Sequence, residues 1–168
     1  MLVLCALLFL RCGTIKVNYD YDRETDFSAY RTYGYYGDMQ TGLSELDERR
    51  LLRVLDSVLP TKGLQLAEEA DVLVNIGAEV YDKNPPNNVS VGIGGTGRNV
   101  GGGISLGIPT RGTGQGRAIT FDFVDAKSET LVWSATSDAS YTEKKTPIER
   151  EDQFKKIVVR VFSNFPPK

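Results

Sequence analysis

The 168-residue chain predicts an α+β domain: a mainly antiparallel, twisted sheet of about 5–7 strands with two amphipathic helices packed on one face. Three observations carry that expectation. Runs of alternating apolar and polar residues recur along the chain and mark strands. Two segments switch to helical spacing, each behind a capping residue. The links between strand runs are hairpin-length, which favours antiparallel neighbours. The length suits a single domain that buries a core without disulfide staples.

The elements follow in order. Ile15, Val17, Tyr19 and Tyr21 alternate with Lys16, Asn18 and Asp20, the period-two signature of a half-buried strand. Asp22 to Asp26 is a polar turn, and Tyr30 to Tyr36 reads as a second strand. Most of the eight tyrosines crowd between Tyr19 and Tyr36, which fits cross-strand packing better than an aromatic sugar-binding strip. Ser44 opens a helix with Asp47 at the reciprocal capping position. Leu51, Leu52, Leu55, Val58 and Leu59 form its apolar stripe; Arg49, Arg50, Arg53 and Asp56 cover the other face. Pro60 and Gly63 end it.

Val72, Val74, Ile76, Ala78 and Val80 make the cleanest strand, broken by Asn84 to Asn87. Most of the 17 glycines then fall between Gly92 and Gly116. Within that stretch Val89, Val91 and Ile93 alternate, as do Ile104, Leu106 and Ile108, which predicts a glycine-rich hairpin with a loose tip near residues 95–101. Ile119, Phe121 and Phe123 form the next strand. Asp125 to Glu129 turns, and Leu131, Trp133 and Ala135 return beside it. In the final helix Thr146 caps, Pro147 takes the first position and Glu149 completes a capping box. Phe154, Ile157, Val158, Val161, Phe162 and Phe165 supply its buried stripe, and Pro166-Pro167 stops it.

Composition narrows the function classes. The net charge is −2, so no global positive field draws nucleic acid. Arg49-Arg50 and Lys155-Lys156 read as solvated helix faces. The chain has no histidine, which removes the commonest general base and transition-metal ligand. Its cysteines, Cys5 and Cys12, both lie at the extreme N-terminus, leaving the folded body without a thiol nucleophile or thiolate metal site. Gly92-Ile93-Gly94-Gly95-Thr96-Gly97 formally matches a dinucleotide fingerprint, but more glycine follows where a helix N-terminus is needed. Asp20, Asp22, Glu24 and Asp26 lack calcium-loop spacing and read as a solvated turn. No metal or organic cofactor is expected.

The apolar run from Leu2 to Leu10 spans only about 14 Å as a helix, short of the roughly 20 residues that cross a bilayer. Its length suits a signal-peptide core. Ending on Arg11 and Cys12, it resembles a bacterial lipoprotein signal, in which the cysteine takes the lipid. Arg11 stands where that signal usually carries a small residue. The resemblance implies a signal peptide at 1–11, lipidation at Cys12 and a domain over 12–168. Gly13, in place of an acid after the cysteine, implies sorting to the outer membrane with the domain facing the periplasm.

Further residues carry a second resemblance. Asp26-Phe27-Ser28 followed by Tyr30, Thr32 and Tyr33 resembles the opening of the DUF4136 lipoproteins. Phe121 to Trp133 resembles that family's second hallmark: a strand ending in Val124-Asp125-Ala126 and a partner carrying Leu131-Val132-Trp133. The glycine-rich stretch before them also fits. The likeness covers the chain from Cys12 to the last helix and implies one DUF4136-like periplasmic domain; it supplies no reaction.

Two functional expectations result. The first is a non-catalytic envelope lipoprotein that binds an envelope protein or itself, with the hairpin residues Val89, Val91, Ile93, Ile104, Leu106 and Ile108 as the partner surface. The second is a glycan hydrolase pairing Asp122 or Asp125 with Asp138 or Glu79, which needs two carboxyls about 5–9 Å apart in a cleft.

Overall fold

A computed structural model describes residues 14–83 and 114–167, which form a six-stranded sheet with two helices on one of its faces. The strands are β1 (Lys16–Tyr21), β2 (Thr32–Tyr35), β3 (Gln65–Leu66), β4 (Val72–Asp82), β5 (Gln115–Asp125) and β6 (Leu131–Tyr141). The helices are α1 (Glu45–Val58) and α2 (Pro147–Val161). Strand order across the sheet is β1-β6-β5-β4-β2-β3. Cys12 and the glycine-rich segment expected to form a hairpin, residues 89–108, lie outside the described residues.

The α+β class holds, but the sheet is mixed. Antiparallel pairs join β1 to β6, β6 to β5 and β5 to β4, whereas β2 runs parallel to both β4 and β3. The reason is α1. A helix between β2 and β4 carries the chain back to the end where it started, so the second strand repeats the direction of the first. A hairpin turn would have reversed it.

One parity of each central strand faces the helices. Val72, Val74 and Ile76 of β4, Ile119, Phe121 and Phe123 of β5, and Trp133 and Ala135 of β6 are all buried. Against them α1 lays Leu51, Val54 and Leu55, and α2 lays Phe154, Ile157, Val158 and Val161. Trp133 stacks on Phe162 at 5.3 Å between ring centroids, and Phe123 meets Phe165 edge-on at 5.2 Å. Each such side chain contributes about 1.5–3 kcal/mol on burial, so this aromatic knot anchors the end of α2 to β5 and β6.

The other face of the sheet carries Asn75, Thr120, Asp122, Ser134 and Thr136, with neither helix on it. Thr120 and Thr136 share a hydroxyl hydrogen bond at 2.9 Å, and the Ser134 hydroxyl donates to Asp122 at 2.6 Å. These polar rows explain why β6 outruns the alternation seen in the sequence. Ser and Asp are weak strand formers, yet here they are held by pairing on both sides.

Candidate functional site

The N-terminal turns of both helices meet at one end of the sheet, and an acid links them. Asp47, in the first turn of α1, is 2% exposed. The Ser44 hydroxyl caps α1 by accepting the Asp47 N–H at 3.4 Å. The Asp47 carboxylate does not return to the cap. It accepts from Arg50 Nη1 and from Arg150 Nη1, each at 2.8 Å. Arg150, in α2, spends its other donors on two carbonyls: Nε on Lys145 at 3.1 Å and Nη2 on Glu143 at 2.6 Å.

A third arginine completes the cluster. Arg117 lies on β5 at the inward parity of Ile119 and Phe121, and its side chain is 10% exposed. Its guanidinium lies over the Tyr141 ring, 3.8 Å from the centroid, with the Phe154 ring at 5.8 Å. Arg117 Nη1 stands 3.9 Å from the Asp47 carboxylate, beyond hydrogen-bond length. Its buried Nε has no partner among the described residues. A pocket of about 470 Å³ opens here, lined by Ser44, Asp47, Val80, Arg117, Tyr141 and Arg150, with Gly42, Leu43, Ala78 and Glu143 completing the wall. Gly42 is required by its backbone: φ is +71°, and a β-carbon would stand 2.6 Å from the Ala78 carbonyl oxygen.

The acids singled out for hydrolysis do not gather in such a pocket. β5 and β6 place Asp122 opposite Ser134 and Asp138 opposite Ala118. Four residues of strand separate the two acids, about 13 Å at about 3.3 Å per residue, which exceeds the span of a glycosidase pair. Glu79 shares a row with Asp138 through Ala118, two strand spacings away at roughly 10 Å, and is exposed. Lys83 Nζ approaches Asp138 at 3.6 Å.

Asp125 holds a turn. It accepts the N–H groups of Ser128 at 2.7 Å and Lys127 at 2.9 Å, and the Tyr30 hydroxyl at 2.9 Å. The Ser128 N–H is the largest cause that brings its pKa down to about 2, with the Tyr30 hydroxyl and the Lys127 N–H adding to it. Tyr30 is pushed up to about 12, by burial first and by Asp125 second. Asp71 closes a similar link, accepting the Arg31 N–H at 2.8 Å and the Thr32 N–H at 3.0 Å, and its pKa is lowered. Asp22 and Asp26 accept N–H groups within their own turn. Among the described residues, no three acids converge as metal donors.

Two residues read as solvated are engaged instead. Arg50 has a side chain only 14% exposed, because Asp47 draws it inward. Asp56 faces the sheet and accepts both the Tyr33 hydroxyl at 2.7 Å and the Tyr35 hydroxyl at 2.8 Å. Burial, then Asp56, raises the pKa of each tyrosine. Arg49 and Lys155-Lys156 are exposed as expected. The pocket itself was not apparent in the sequence, although two signals pointed to it. Asp47 stands one turn before Leu51 on the apolar stripe, and Arg117 occupies a core parity just outside the recognised strand.

The fold and pocket define a small α+β domain with a charged pocket where its two helices begin. The chain belongs to the family described as Domain of unknown function (DUF4136), whose model matches residues 17–167. No curated protein matches it. Among solved structures it is similar to the PelC dodecamer from Paraburkholderia phytofirmans at 12% identity and a TM-score of 0.52, covering 89% of this chain and 96% of that one. A single-substitution variant of the same dodecamer gives a TM-score of 0.53 at 12% identity, over 89% of this chain and 95% of that one. A PDZ domain protein from Parabacteroides distasonis gives 0.58 at 12% identity over 93% of this chain. The chain spans 37% of that protein's length. At this identity the likeness establishes a shared fold.

Proposed function

We propose that this chain is a lipoprotein of the bacterial envelope, anchored through Cys12 in the outer membrane facing the periplasm, and that its domain works by binding rather than by catalysis. The observation that carries the binding half is Arg117. Its Nε is a buried donor without a partner among the described residues, on a guanidinium whose N–H groups only donate and which therefore suits an anion. The address rests on the short apolar leader ending at Cys12. An acyl chain contributes about 0.8 kcal/mol per buried CH₂, and stable attachment takes more than one chain. Lys16, where β1 begins, follows Cys12 by four residues, a tether of at most about 14 Å. Self-association belongs to the same reading: β1 pairs on one side alone among the described residues, and the PelC structures that share the fold are dodecamers.

Radiolabelled palmitate given to cells producing the full-length chain should label it in the membrane fraction. Cys12→Ala should lose the label and appear in the soluble fraction. An unlabelled, soluble wild-type chain overturns the anchor. Crosslinking in intact envelopes then reads the partner, with products at multiples of the chain's own mass marking self-association.

A further inference from the structure

We infer that the pocket at the start of the two helices is a site for a single carboxylate, carried on a body about the size of a monosaccharide or a dipeptide, with Arg117 as its anchor. This rests on the binding reading above and names the ligand class. A buried guanidinium is costly unless its donors are used. Here Asp47 is taken by Arg50 and Arg150, and its distance of 3.9 Å leaves Arg117 with charge balance but no hydrogen bond from it. Tyr141 occupies the flat face of the guanidinium. The N–H groups lie in the guanidinium plane, perpendicular to that contact, and in-plane donors are what a carboxylate accepts bidentately.

Charge selects the ligand further. In the lining, Arg117 and Arg150 stand against Asp47 and Glu143, and Arg50, paired to Asp47 from outside the pocket, leaves the cluster with one positive charge, which a monoanion neutralises and a dianion overshoots. The start of α1 adds the positive end of a helix dipole in the same direction. Leu43, Ala78 and Val80 give the wall an apolar side, and Val80 is 44% exposed. A volume of about 470 Å³ lies within the roughly 300–1,000 Å³ of small-molecule sites. A uronic acid and a peptide C-terminus both present the required chemistry.

The test uses the full-length chain in detergent, labelled with ¹⁵N-arginine, titrated with methyl β-D-glucuronide, N-acetyl-dialanine, inorganic phosphate and the neutral counterparts methyl glucoside and N-acetyl-dialanine amide. The Arg117 Nε–H resonance, assigned with Arg117→Lys, should shift and saturate with a carboxylate probe. Arg117→Met should weaken that binding at least tenfold. Saturation by the glucuronide alone assigns a sugar acid, by the peptide alone a chain terminus, and by both the carboxylate itself. Binding to phosphate as tight as to the carboxylates, equal binding of the neutral probes, or no shift at Arg117 overturns the site. Because the wild-type resonance is read directly, the test still decides even if the Arg117→Met protein misfolds. Cleavage of a bound probe would instead sink the non-catalytic reading while leaving the carboxylate site standing.

Discussion

Among the described residues, Asp47 gathers more cationic partners than any other acid: three arginines from three separate elements converge on it. Arg50 comes from its own helix, Arg150 from α2 and Arg117 from β5. Removing one member of a buried ion pair leaves the others desolvated without compensation, at about 3–5 kcal/mol. Asp47→Asn should therefore lower the urea-unfolding free energy by about that much. Glu45→Ala, which breaks only the exposed pair with Arg49, should change it by less than about 1 kcal/mol. Equal effects of the two substitutions would show that Asp47 is not the hub. The sequence marks Asp47 as a capping residue, and half of that is realised: its N–H meets the Ser44 hydroxyl. Where the carboxylate goes depends on Arg117 and Arg150, each many residues away, and no local spacing encodes those partners.

At the scale of elements, local rules succeed where the partners are local. In α2 the Thr146 hydroxyl accepts the Glu149 N–H at 3.3 Å, and the Glu149 carboxylate accepts the Thr146 N–H at 2.7 Å, as the capping-box spacing predicts. Thr146→Ala should cost about 1 kcal/mol in thermal or urea unfolding. No measurable change would mean that tertiary packing alone holds the helix start. The β5–β6 hairpin was equally legible, since its turn and alternation are contiguous. Its outer halves were not, because Thr136 to Ser140 is polar and becomes strand only by pairing with β1 and β5. The parallel placement of β2 was also hidden. Tyr33 and Tyr35 look like sheet aromatics in the sequence, and their hydroxyls turn out to reach α1 through Asp56.

Across the whole molecule, two carboxylates tie distant segments to the sheet and make its stability depend on acid. Asp125 binds the Tyr30 segment to the end of β5, and Asp71 binds the start of β2 to the approach to β4. Both are lowered in the folded state, Asp125 to about 2 from an ordinary value of 3.8. A depressed carboxylate stabilises the fold above its unfolded pKa, and that stability is lost as the pH falls through the folded one. Unfolding free energy should therefore hold steady from pH 7 to about 5 and decline between about pH 4 and 2. Asp125→Asn should be less stable at neutral pH and show a shallower acid slope; an unchanged slope would remove Asp125 from this role. The pocket and the start of β1 occupy the same end of the sheet, since Lys16 pairs with Asp138, three residues before Tyr141. An anchor at Cys12 would thus hold the pocket near the membrane surface.

Taken alone, the order of residues already specifies the class, the capped helices, the central hairpin and the core parities. Each of these follows from spacing between near neighbours, and a period of two or of 3.6 is a local property. The charged pocket is not of that kind. Asp47, Arg117, Tyr141 and Arg150 come from two helices and two strands, and they meet because α1 crosses over to make β2 and β4 parallel while α2 packs against the same face. Which charges pair, and which donor is left over at Arg117, is set by through-space distance in a low-dielectric interior, where the cost of an unmatched charge exceeds any preference of the local chain.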